Sequence, residues 1–155
     1  MVEVGKPAPE FSLLDPQGKT VTLAGLKGSP VVLYFYPKDD TSGCTKEACA
    51  FRDAIGEYKK AGAKVIGISP DPVASHVKFI KKYELPFPLL ADTEKAACEA
   101  YGVWKEKSMY GRKYMGVERT TFVIDARGIV RKIFPKVKVD GHADAVLEAV
   151  RAATL

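Results

Sequence analysis

Cysteine, histidine and tryptophan are all scarce in this chain of 155 residues, which holds three, two and one of them. The two histidines, His76 and His142, stand apart, and no second close ligand pair accompanies the cysteines, so the material for a zinc site is poor. Each histidine reads as a surface residue on or beside its helix. No apolar run reaches the length needed to span a membrane. The opening MVEVGKPAPEF lacks the basic-then-apolar layout of a secretory leader. These absences point to a cytoplasmic protein, in a compartment where thiols are kept reduced and a permanent structural disulfide is disfavoured. Repeats, low-complexity tracts and linkers are missing too. The reading is therefore one domain, residues 1–155, long enough to bury a core without staples.

What is present is an ordinary globular composition, 46% hydrophobic and 28% charged, with a formal net charge of +5. The densest cation clusters, WKEKSMYGRK (104–113) and RKIFPKVK (131–138), read as solvated faces of a loop and a strand. A nucleic-acid-binding reading would rest on net charge alone, with no recognisable reading motif.

Apolar patterning sets out the elements. FSLLDPQGKTVTL (11–23) reads as a hairpin turning on Asp15-Pro16-Gln17-Gly18. VVLYFY (31–36) and AKVIGIS (63–69) read as buried strands. Between them Cys44, Ala48, Phe51, Ile55 and Tyr58 recur at helical spacing, predicting one helix from about Thr41 to Gly62 with its stripe on a core. Helices are predicted over 72–85, over 93–103 with Thr93 as N-cap, and over 141–155. FPLLAD (87–92), TTFVID and IVRKIF are predicted strands, and 104–118 a loop. Alternating strands and helices mean an α/β fold with a largely parallel central sheet, antiparallel at its end, covered on both faces. The site belongs at the C-terminal end of a central strand.

Cys44 and Cys49 lie five positions apart in YPKDDTSGCTKEACAFRD. Cys44 falls in the first turn of its helix, where free N–H groups and the helix dipole favour an anion, and a thiolate is the reactive form of cysteine. Lys46 would assist, whereas Asp39 and Asp40 would oppose if they point inward. On the helical wheel Cys49 lies on the order of 140° from Cys44, beside Thr45, Arg52 and Gly56. An unbroken helix holds the two Cα atoms ~8–9 Å apart, and a disulfide needs ~4.4–6.8 Å. The pair can bond only if the first turns unwind. A packing role suits Cys44 but not Cys49, and the spacing is not the C-x-x-C of a thioredoxin.

With these residues in view, P-K-D-D-T-S-G-C resembles the P-x-x-x-T-x-x-C motif of the peroxiredoxins. The cysteine five residues on resembles their Q-type, or bacterioferritin-comigratory, subfamily. The likeness runs from GKPAPEFSLLDPQGK to ERTTFVIDARG. It implies a thioredoxin-like fold and a peroxidase acting on hydrogen peroxide and organic hydroperoxides. It further implies Cys44 as the peroxidatic and Cys49 as the resolving cysteine, closing an intramolecular Cys44–Cys49 disulfide. Thr41 would offer its hydroxyl to the peroxide, Pro37 would shield the pocket, and Arg119 would stabilise the anionic sulfur, oriented by Glu47. The resemblance also implies a thioredoxin or glutaredoxin reductant, a monomer, and no metal, haem or flavin. A redox sensor with little turnover would use the same two cysteines. Cys98 reads as a core residue.

Overall fold

The computed structural model describes residues 2–153. β1 (Ser12–Leu14) and β2 (Thr20–Thr22) form the expected hairpin, and the Asp15 carboxylate shapes its turn by accepting the Gln17 and Lys19 amides, each at 2.9 Å. A short helix absent from the sequence reading, α1 (Leu23–Leu26), follows. Thr22 caps it and the Glu10 carboxylate accepts the Leu23 and Ala24 amides. Next come β3 (Val31–Phe35), α2 (Ser42–Asp53), α3 (Ile55–Lys60), β4 (Lys64–Ser69), α4 (Val73–Tyr83), β5 (Leu89–Ala91) and α5 (Ala96–Ala100). The chain continues through β6 (Trp104–Met109), β7 (Arg112–Val117), β8 (Thr120–Ile124), β9 (Val130–Phe134) and α6 (His142–Ala153).

The main sheet has the order β2-β1-β5-β4-β3-β8-β9. β3, β4 and β5 are parallel, and the outer pairings are antiparallel. This is the mixed thioredoxin-like sheet that the family resemblance implied, with less of it parallel than the alternation of strands and helices suggested. β3 is buried along its whole length, so its residues divide between two cores by strand alternation. Val32 and Tyr34 join Phe51, Tyr58, Phe79 and Val146 under α2, α3, α4 and α6. Val31, Leu33 and Phe35 join Ile66, Ile68, Cys98 and Tyr101 under α5 and the N-terminal hairpin. Cys98 is fully buried, as expected of a core residue.

Four expectations are corrected. The segment 104–118 is not a loop but the hairpin β6–β7, a separate two-stranded sheet. Its side chains are mostly exposed, so no apolar alternation announced it. Its turn, Tyr110-Gly111, has φ of 52° and 77°, the left-handed pair of a type I′ turn. The long helix is interrupted at Ala54 (φ −95°, ψ 1°), although the apolar stripe carries straight across the break. Thr93 does not cap α5. Lys95 holds the N-cap position without a side-chain bond, and the Asp92 carboxylate accepts the first-turn amides of Ala97 and Cys98 at 3.2 and 2.7 Å. Finally, both histidines are buried: His142 bonds Thr121 Oγ1 at 2.7 Å and packs edge-on to Phe51 and Phe134, and His76, on the inner face of α4, meets Asp39 and the Leu90 carbonyl.

Gly67 on β4 faces Tyr34 on β3. A Cβ there would meet Leu89 Cδ2 at 2.7 Å and Tyr34 Cζ at 2.9 Å. Both atoms are in fully buried side chains, so neither can step aside into solvent. Gly67→Ala is therefore expected to lower stability by about 1–3 kcal/mol through overpacking, read as a lower denaturant midpoint with an unchanged slope.

Candidate active site

Tyr36 extends β3 by donating its amide to the Ile68 carbonyl, and Pro37 then ends the strand. The loop 37–41 crosses the C-terminal end of the sheet to reach α2. Thr41 occupies the N-cap position, and its hydroxyl donates to the Lys38 carbonyl at 2.9 Å rather than capping the helix. Cys44 is therefore in the first turn, as the sequence implied, and only 1% exposed. Cys49, on the same unbroken helix, is half-buried, and both thiols are free.

The long-range partner of Cys44 comes from the other side of β3. β8 runs antiparallel to β3 with Phe35 opposite Thr120, which places Arg119 beside the start of the loop 37–41. Arg119 Nη2 donates to Cys44 Sγ at 3.2 Å and Nη1 donates to Glu47 Oε1 at 2.6 Å. A guanidinium has only donors, so the sulfur here is an acceptor, the role a thiolate fills best. Gly43 leaves room for this contact, since a Cβ there would come within 3.1 Å of Arg119 Nη2. Burial works against the charge of Arg119, yet Glu47 and the sulfur hold its pKa above the ordinary arginine value. Glu47 is 1% exposed and its Oε2 finds no partner among the described residues, as is true of the neighbouring Tyr34 Oη. Burial pushes the Glu47 carboxyl up to about 7, with Arg119 pulling the other way.

Four of the six residues singled out from sequence thus converge through direct contacts or a shared helix turn: Cys44, Glu47, Arg119 and Thr41. Pro37 is half-buried at the strand end, and Cys49 stays apart from Cys44 in this wound state. Asp39 and Asp40 are both engaged away from the sulfur. Asp39 accepts from Tyr36 Oη at 2.6 Å and Ser75 Oγ at 2.7 Å and lies 2.7 Å from His76 Nδ1. Asp40 is held by Lys82 and Tyr83. Lys46 is paired with Asp140. Asp39, Asp71 and His76 offer ligand atoms within 4.8 Å of one another, but hydrogen bonds from Tyr36, Ser69, Ser75 and the Asp39 amide already occupy the carboxylates.

Gly43 and Lys107 escaped the sequence reading. Lys107, half-buried on β6, has its pKa lowered by burial and then by Arg119. It lies in the cation cluster 104–113, which reads from the sequence as a solvated face because its strand leaves no apolar pattern.

A thioredoxin-like sheet with a dry thiol at a helix N-terminus, gripped by arginine, defines a thiol-dependent oxidoreductase. Residues 4–133 match the AhpC/TSA family, and the chain belongs to that family. It is 53% identical over 146 residues to a putative peroxiredoxin bcp of Coxiella burnetii, covering 94% of this chain and 97% of that one. It is 47% identical over 150 residues to peroxiredoxin Bcp of Bacillus subtilis, covering 97% and 96%. Among solved structures, peroxiredoxin Q of Xanthomonas campestris superposes with a TM-score of 0.90 at 46% identity, over 94% of this chain and 92% of that one. The bacterioferritin comigratory protein of the same organism, solved in work on its alkyl peroxide reduction, gives 0.92 at 42% identity, over 99% and 100%. The chain is a thiol peroxidase of the peroxiredoxin Q group. Among the described residues, no helix is long and apolar enough to cross a membrane.

The raised Glu47 carboxyl has a consequence for stability. Between its ordinary value of 4.5 and about 7, the folded chain holds a proton that the unfolded chain has released. Stability carried by this group is therefore lost as pH rises through that window. Denaturant titrations of wild type and Glu47→Gln across pH 4.5–7 are expected to show this falling slope in the wild type and a flatter one in the variant.

Proposed function

We propose that this peroxidase reduces hydrogen peroxide and organic hydroperoxides through Cys44, with Cys49 as the resolving thiol. The observation that carries the reading is the 3.2 Å hydrogen bond from Arg119 to a sulfur that is 1% exposed. In the first step the Cys44 thiolate attacks the terminal peroxide oxygen. The O–O bond breaks, sulfur becomes a sulfenic acid, and the departing alkoxide or hydroxide takes up a proton and leaves as alcohol or water. Arg119 stabilises the sulfur anion and the charge that develops on the leaving oxygen, and its hold on Glu47 fixes its direction. Thr41, at the N-cap, presents its hydroxyl oxygen to the peroxide, and Pro37 limits the entry of water at the strand end.

In the second step Cys49 attacks the sulfenic sulfur and expels water, leaving the Cys44–Cys49 disulfide. Because both residues lie on one helix, this step needs α2 to unwind. A dithiol reductant of the thioredoxin or glutaredoxin type then reopens the bond by exchange. We further propose a monomeric, single-domain protein working in the cytoplasm, where such reductants are maintained. The support for one domain is that both cores are built on the same strand, β3.

Peroxide consumption with thioredoxin, thioredoxin reductase and NADPH tests the roles. Turnover is expected to fall to background in Cys44→Ser. Cys49→Ser is expected to oxidise once, to a sulfenic acid, and then to stop. Arg119→Met is expected to lower the rate with peroxide by about 10²-fold, as when an oxyanion donor is removed. A Cys44→Ser variant as active as wild type would overturn the assignment.

A further inference from the structure

We propose that the last turn of α4 is a latch on α2, in which Asp40, Lys82 and Tyr83 act as positioning residues that set how fast the Cys44–Cys49 disulfide closes. The proposal rests on the cysteine roles proposed above. Asp40 immediately precedes the N-cap residue of α2 and sits at φ 56°, in the left-handed region that aspartate enters more readily than most residues with a Cβ. Its side chain is clasped from α4: Lys82 Nζ reaches Oδ2 at 2.8 Å and Tyr83 Oη donates to Oδ1 at 2.9 Å. The backbone carbonyl of the same Tyr83 accepts from Arg52 Nη1 at 2.8 Å. One residue of α4 thus grips the α2 segment on both sides of its cysteine pair.

The two halves of that segment are held unequally. Beyond Cys49, Phe51 is fully buried, stacked on Tyr34 with ring centroids 4.8 Å apart. Before it, Thr41, Ser42 and Lys46 are exposed, and the inward grip is the contact of Arg119 with Cys44 and Glu47 together with the packing of Cys44 and Ala48 in the core. Unwinding therefore starts at the N-terminal side. Oxidation of Cys44 weakens the inward grip, because a neutral sulfenic acid is a poorer acceptor for a guanidinium than a thiolate. Two outward ties then remain on this side: the Asp40 clasp and the Lys46–Asp140 pair. A closed latch keeps the site assembled for peroxide, and the same closed latch delays Cys49. During that delay a second peroxide can oxidise the sulfenic acid to sulfinic acid.

Tyr83→Phe removes only the hydroxyl, keeping the ring against Phe79 and the carbonyl used by Arg52. Lys82→Met removes the charge, and Lys82→Arg restores it. Rapid-quench alkylation and intact-mass analysis after one equivalent of hydrogen peroxide would follow sulfenic acid and disulfide separately in the full chain. Cys44 oxidation is expected to stay within about twofold of wild type in all three variants. Disulfide closure is expected to be about twofold to fivefold faster in Tyr83→Phe and Lys82→Met, the range of one tie at a largely exposed site, and unchanged in Lys82→Arg. Sulfinic acid formed at excess peroxide should fall in the same two variants. Closure at or below the wild-type rate in both, with normal Cys44 oxidation, overturns the latch. A wild type that forms the sulfenic acid but no Cys44–Cys49 disulfide overturns the role of Cys49, and the latch with it.

Discussion

The arrangement depends on one guanidinium serving two acceptors where water is scarce. Arg119 bridges Glu47 and Cys44, which lie three positions apart on α2 and so present neighbouring groups on one helix face. Arginine suits the task because its charge persists when partly buried and its donors are fixed in a plane. The cost appears on Glu47, a buried carboxyl with one oxygen that finds no partner among the described residues. Position is supplied by register, not by the loop: the pairing of Phe35 with Thr120 carries Arg119 to the end of β3 where α2 begins. A one-residue slip of β8 would turn its side chains to the opposite face of the sheet and dismantle the site.

Most of this could be read from the chain because burial leaves a periodic trace. The run VVLYFY announces a strand buried on both faces, and the stripe from Cys44 to Tyr58 announces a helix docked on it. The placement of Cys44 in the first helical turn followed from the same stripe. The hairpin β6–β7 left no such trace, since most of its side chains face solvent and its turn uses tyrosine where asparagine or glycine would have been a clear signal. The break at Ala54 was invisible for the opposite reason: the stripe continues through it unchanged. His76 and His142 were misplaced because a histidine on a helix carries no sign of its tertiary partners. Asp39 and Thr121, which meet them, are 37 and 21 residues away. Arg119 is the instructive middle case. Its sequence position beside a strand was plain, but its meaning came only from family likeness until the sheet register placed it beside the sulfur.

The polar residues around the site divide by what they hold. Asp39, tied to Tyr36, Ser75 and His76, fixes the loop to α4 in a buried setting. Asp40, one residue later, makes its ties in partly exposed positions, where hydrogen bonds and ion pairs contribute less. Adjacent acidic residues thus mark the passage from fixed scaffold to the segment that has to rearrange. Two consecutive aspartates in the sequence give no hint of that division.

The interruption at Ala54 bears on how far such a rearrangement spreads. A wound helix advances ~1.5 Å per residue, whereas extended chain reaches ~3.3 Å, so each residue leaving α2 releases roughly 1.8 Å of slack. Residues Ser42 to Ala48 together hold on the order of 12 Å of such reserve. Since α3 begins anew beyond Ala54 and is docked separately through Tyr58, the loosening of α2 has a natural stopping point. The slack needed to join two distant sulfurs is stored in the reactive helix itself, and the sheet beneath it need not move.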